Sequence, residues 1–141
     1  MSKSSNCGDV FRVEYVGMPR DHHAIFVHTK SDGSGALYHV TGAIQNGMTF
    51  ENKPGKQPEE SATFIKKTHL GWVTIDKYPY VESICRSVPP PKKQFEKQTR
   101  LFPKEPLRRC QEWTDEAVEA LSSNGILQPG HAPESQGPYD V

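Results

Sequence analysis

Alternation opens the chain. In "VFRVEYVG" (residues 10–17), Phe11, Val13 and Tyr15 fall on one side and Arg12 and Glu14 on the other. A period of two is the mark of a half-buried strand. "GMPRD" breaks the pattern, and "HHAIFVH" (22–28) follows as a second strand. It is apolar at four successive positions, Ala24 to Val27, so it belongs in the middle of its sheet. "KSDGSG" supplies positive-φ positions for a turn, and "ALYHVTG" (36–42) returns as a third strand, giving the strongest hairpin signal in the chain. "MTFENK" (48–53) is a further short strand, and "ATFIKKTHLGWVTID" holds two β-rich pieces around His69 to Gly71, with Trp72 as core anchor.

Beyond residue 77 the period lengthens. Val81, Ile84, Cys85 and Val88 fit one short helix. "PPPKKQFEKQTRLFPKEP" is punctuated by proline and reads as a long crossing loop. In "RRCQEWTDEAVEALSSNG" the residues Cys110, Trp113, Ala117 and Leu121 recur at three- and four-residue steps, so they share a helix face, and Asn124-Gly125 stops the helix. The fold class is therefore α+β: an antiparallel sheet from the first two-thirds, packed against a C-terminal helix that carries a cysteine. The domain spans 9–127, between flexible ends at 1–8 and 128–141.

Composition narrows the function. With 141 residues the chain suits one core. The three cysteines, Cys7, Cys85 and Cys110, form no even framework and no C-x-x-C pair. Free thiols in a reducing, cytoplasmic compartment are expected. No apolar run is long enough for a transmembrane segment, and the start has no signal-peptide core. Zero net charge argues against a nucleic-acid partner. The basic stretch 91–110 is locally balanced by six acids and no Lys or Arg from Gln111 onward. It reads as a solvated loop. Its alternative use, in a non-catalytic interaction module, is to hold a partner with residues 91–109.

The candidate chemistry is a thiol near a helix start and imidazoles on a sheet. The positive end of the helix dipole, with Arg108 and Arg109, is expected to favour the Cys110 thiolate. His22 and His23 open the second strand and His39 lies in the third, so imidazoles from neighbouring strands can meet on one face. Thiol, imidazole and an orienting polar group make a cysteine nucleophile. A metal site from His22, His28, His39 and His69 lacks ligand spacing on any one element, so no metal or other cofactor is expected. Cys7 falls in the expected tail with no preparation as a nucleophile, and Cys85 fits an apolar helix face.

"HHAIFVH" followed by "GALYHVTG" resembles the H-x-A/G-I-Y strand and the next His-bearing strand of the papain-like NlpC superfamily. The order, His first and Cys last, is similar to its circularly permuted branch of lecithin:retinol acyltransferase-like and PPPDE-type proteins. The resemblance spans roughly residues 20–125. It implies a circularly permuted papain-like fold, with Cys110 as nucleophile, His22 as base and His39 orienting that base. His23 stands where the family places an apolar residue and ranks second as base. Only one of His22 and His23 can face the helix, and the resemblance implies that it is His22. Cys110 N–H is the implied oxyanion donor, with Tyr15 as a possible second. Gln111 and Trp113 replace the usual pair after the cysteine, and Arg109 replaces the asparagine before it. The implied activity is hydrolysis or acyl transfer through a thioester. Its substrate is a small-molecule, lipid or peptide acyl group.

Overall fold

A computed structural model describes residues 7–17 and 20–131. Strands β1 (Cys7–Tyr15), β2 (His22–His28), β3 (Gly35–Ala43), β4 (Gly47–Gly55) and β5 (Phe64–Thr74) form one sheet in the order β4-β3-β2-β1-β5. All neighbouring pairs are antiparallel. Helix α1 (Tyr78–Ser87) follows β5, a two-residue-strand hairpin of β6 (Phe95–Glu96) and β7 (Thr99–Arg100) interrupts the long loop, and helix α2 (Cys110–Ser123) closes the fold. The α+β class and the antiparallel sheet beside a C-terminal helix are those expected from the periodicities.

The sheet has two unequal apolar faces. Val10, Ile25, Val27, Tyr38, Val40 and Val73 form the main core with Val81 and Cys85 of α1 and with Cys110, Trp113, Ala117 and Leu121 of α2. On the other face, Val13, Ala24, Phe26 and Leu37 make a smaller cluster, flanked by Phe11, Tyr15 and Phe64. β2 is central and covered on both faces, so Ala24 to Val27 are all buried. The helix stop is also as expected: Gly125 has φ +73°, and the N–H groups of Ile126 and Leu127 return to Leu121 O at 3.0 and 3.1 Å.

Four local expectations are corrected. Cys7 is not in a loose terminus: β1 begins there, and its side chain is 1 % exposed. The two β-rich pieces after residue 63 are one strand of 11 residues. Its register against β1 shifts between Val10/Gly71 and Phe11/His69, which places Leu70 in a bulge. Trp72 is only half-buried; the core tryptophan is Trp113, at 0 % exposure. The chain does not come loose at residue 128, because Trp72 and Gln128 exchange two backbone hydrogen bonds at 2.9 and 2.8 Å. Gly71 permits that approach, since a Cβ there would stand 2.1 Å from Gln128 O. The rest of the expected flexible ends, residues 1–6 and 132–141, lies outside the described residues.

Part of the charge of the basic loop is answered nearby. Lys93 pairs with Glu96, Lys92 with Glu105 and Arg108 with Glu116. Buried Gln94 receives the Arg108 N–H at 2.9 Å and donates to Arg108 O at 2.8 Å. That clamp sets the last residues before Cys110.

Candidate active site

Cys110 is the first residue of α2 and 7 % exposed. It packs in the helix-side core, as its shared face with Trp113 and Ala117 implied. The backbone N–H groups of a first helical turn have no partner inside the helix, so they are available to an oxyanion forming at the sulfur. The thiol donates to Asp21 O at 3.8 Å, and the sulfur also meets the His23 backbone N–H. Burial pushes the Cys110 thiol up, and it outweighs the lowering by the His23 N–H and by Arg20. The expected thiolate is thereby corrected: the resting group is a neutral thiol, because desolvation acts on the whole charge and the helix end on a fraction of it.

His22 and His39 meet as expected for neighbouring strands. His22 Nε2 and His39 Nδ1 are 2.8 Å apart, and His39 Nε2 lies 2.8 Å from Glu51 Oε1. The carboxylate decides both tautomers. It can only accept, so His39 carries its proton on Nε2. His39 Nδ1 is then an acceptor, and His22 donates to it from Nε2. The nitrogen of His22 left with a lone pair is Nδ1. Burial, and then the neighbouring His39, lower the His22 pKa to about 4, so the ring is neutral at pH 7.

Two faces separate what the sequence had joined. His22 and His39 project to the side of Ala24, Phe26 and Leu37, away from the helices, with Tyr15 stacked on His22 at a centroid distance of 6.2 Å. His23, expected to point away from α2, faces it: Arg12 Nε donates to His23 Nδ1 at 3.0 Å, and the same guanidinium reaches Asp115 Oδ1 at 2.5 Å and Gln111 O at 3.2 Å. That contact removes His23 as a base, since its only acceptor nitrogen is occupied by a cation. Among the described residues, no imidazole is hydrogen-bonded to Cys110 Sγ.

The thiol and His22 nonetheless share a space. A cavity of about 160 Å³ at the Tyr15/His22 end of the sheet is lined by Arg20, His22, Met48, Arg109, Cys110 and Gln111, among others. His22 also lines a second cavity, of about 500 Å³, with Tyr15, Leu37, His39 and Lys53. Tyr15 therefore accompanies the imidazoles and is absent from the lining of the cysteine's cavity. Gln111 commits one N–H of its amide to Asp21 O, which holds the amide on the β2 side of the helix start. His28 and His69 contribute nothing to the site; His69 bonds Asp9 at 3.0 Å and stacks on His131 at 4.8 Å.

Glu51 was not among the sequence candidates, yet a signal for it existed. The β3-β4 hairpin closes at Ala43/Gly47, and antiparallel register from there sets His39 opposite Glu51. Arg20 carried no comparable signal, being part of a short break between strands.

The lowered His22 pKa has a consequence for stability. The unfolded chain takes up this proton near the ordinary histidine value of 6.5, whereas the folded chain does so only near 4. Between those values the unfolded state holds more protons, so stability is full above about 6.5 and declines as pH falls toward 4. Burial acts in the same direction on His23, His28 and His39. Thermal melts from pH 7 to pH 4 are expected to show a falling midpoint, with a shallower slope in His22→Gln. Parallel slopes would show that His22 is not held neutral.

No curated protein and no solved structure matches the chain. A family model does, over residues 10–128, and it therefore takes in both strands of the imidazole pair and the whole of α2. The chain belongs to the family of unknown function DUF6540.

Proposed function

We propose that this protein is a cysteine-nucleophile hydrolase or acyltransferase acting on an amide, ester or thioester. The observation that carries this reading is the common cavity of Cys110 and His22, with His22 at the end of a His22–His39–Glu51 series that leaves the Nδ1 lone pair free. The order of His22, His39 and Cys110 along the chain supports it, being similar to that of the permuted papain-like NlpC superfamily, whose fold we propose here too.

In this mechanism both groups start neutral. His22 Nδ1 takes the Sγ proton as the sulfur attacks the acyl carbon, so the charge appears only during reaction. Developing thiolate beside the ring raises the basicity of His22. Helix-start N–H groups receive the carbonyl oxygen's charge. The carbon–heteroatom bond breaks, His22 returns the proton to the departing amine, alcohol or thiol, and a thioester remains. Water, or an amine or alcohol, attacks that thioester with His22 again as base, and the thiol is restored.

The test is intact-mass analysis after p-nitrophenyl acetate. An acetyl group is expected on Cys110, lost on standing and absent in Cys110→Ala. Alkylation of the same thiol is expected to climb with pH to a midpoint above the ordinary value of 9.0. A second reading, a non-catalytic interaction module on the same fold, is favoured by one observation: Cys110 sits in the core cluster without a hydrogen bond to any described imidazole. It requires that Cys110 stays unacylated, and that result would overturn the enzymatic proposal.

A further inference from the structure

The cavity at Cys110 is charged on one side only. Arg20 and Arg109 line it, and among the described residues no Asp or Glu does. Arg20 Nη1 stands 3.6 Å from Glu112 Oε2, a loose pair in which the arginine side chain stays 45 % exposed. Glu112 is also engaged with the backbone, accepting the Arg109 N–H at 2.7 Å. The Arg109 guanidinium has no carboxylate within ion-pair distance among the described residues. Glu112 thus answers Arg20 alone, and the Arg109 guanidinium is left over at the rim.

Gln111 lines the same cavity and leaves one polar atom unanswered, an acceptor that only an N–H or O–H donor can meet. It is 8 % exposed, and its Oε1 is buried with no hydrogen-bond partner. Turning the amide over does not cure this, because the oxygen would then oppose Asp21 O, which now receives the Nε2 donor. Buried acceptors are rarely left unanswered. The space beside it, about 160 Å³, holds roughly five water-sized groups. That is room for a few-atom acyl group with one polar end.

We propose that this cavity takes a small acyl donor bearing a carboxylate, with the carboxylate paired to Arg20 and Arg109 while Cys110 meets the reacting carbon. Guanidinium groups suit this task because their paired N–H donors match the two oxygens of a carboxylate. This rests on the reading of Cys110 as a nucleophile, and names the class of substrate.

Two alkylating probes of similar size separate the inference from that reading: iodoacetamide, neutral, and iodoacetate, which carries the carboxylate. Each is attacked by the same sulfur, forming a C–S bond and releasing iodide. Their rate ratio therefore reports recognition, while the iodoacetamide rate alone reports the thiol. Rates are read at Cys110 by peptide mass spectrometry, with the urea-unfolded chain as reference. In the folded protein the iodoacetate-to-iodoacetamide ratio is expected to exceed the unfolded reference by about tenfold. In Arg20→Gln/Arg109→Gln it should fall to within about twofold of that reference, while the Arg→Lys pair keeps part of the preference. Melting curves identify any variant that has lost its fold, and the two single substitutions, each expected to be intermediate, then take its place. A ratio equal to the unfolded reference overturns the inference and leaves the nucleophile standing. A raised ratio that survives both arginine substitutions also overturns it. A Cys110 that reacts with neither probe overturns both.

Discussion

His22→Ala is expected to slow acylation of Cys110 by about 10²–10⁴-fold, the range over which a positioned general base contributes. The effect runs through the hydrogen-bond series. Glu51 holds the proton of His39 on Nε2, His39 holds that of His22 on Nε2, and only Nδ1 of His22 is left to accept from the thiol. Removing the ring leaves a thiol that burial already holds above the ordinary range, with no base beside it. The effect should weaken along the series. His39→Phe keeps the volume but leaves His22 Nε2 without its acceptor, so the ring is free to turn or change tautomer. Glu51→Ala acts one step further out and at a carboxylate side chain that is 46 % exposed, where water can replace it. The measurement is the rate of acetyl transfer from p-nitrophenyl acetate to Cys110 in each variant. A His22→Ala rate within a factor of about two of the parent would remove His22 from the mechanism. His23→Ala should leave the chemistry close to parental, because its acceptor nitrogen is already held by Arg12. Its cost falls on the Arg12 contact with the start of α2.

The largest loss of stability is expected from Trp113→Ala, about 3–5 kcal/mol. Trp113 is 0 % exposed, and its ring lies 5.8 Å from that of Phe50. Its Nε1 donates to Val88 O at 3.1 Å, tying α2 to the end of α1. The substitution therefore opens a cavity in the main core and orphans a carbonyl in the same step, two penalties that add. Trp113→Phe keeps most of the apolar volume and should cost less, about 1–2 kcal/mol, mostly from the lost Val88 bond. Urea unfolding with intrinsic fluorescence from Trp72 measures both. Equal midpoints for Trp113→Ala and the parent would show that α2 is not anchored by this residue. Because α2 begins at Cys110, the acylation rate should follow the folded fraction in these variants.

Local pattern was legible wherever burial was one-sided. Phe11, Val13 and Tyr15 alternate with Arg12 and Glu14, and β1 is where that pattern puts it. Cys110, Trp113, Ala117 and Leu121 bury together on α2, as their spacing requires. Trp72 misled because its size suggests core, whereas its neighbour Val73 takes the inward position and Trp72 pairs with Gln128 at the sheet's margin. Cys7 misled because a polar, serine-rich start hides a strand that begins three residues before the alternating stretch at Val10.

The sequence by itself determined the α+β class, the β2-β3 hairpin and that imidazoles from its two strands can meet on one face. Each depends only on neighbours in the chain or on a tight turn, where backbone period alone sets which side chains meet. The face that α2 covers was settled by tertiary packing alone. β2 is apolar on both sides, so "HHAIFVH" offers no polar contrast between its faces, and a period of two has nothing to distinguish. The distribution of large apolar groups over the whole sheet breaks that symmetry. Val10, Ile25, Val27, Tyr38, Val40 and Val73 give one face enough surface to bury two helices, and the other keeps a small cluster and the imidazole pair. That choice turned His23 toward α2 and His22 away from it, and brought Cys110 to His22 across a cavity at the strand's end.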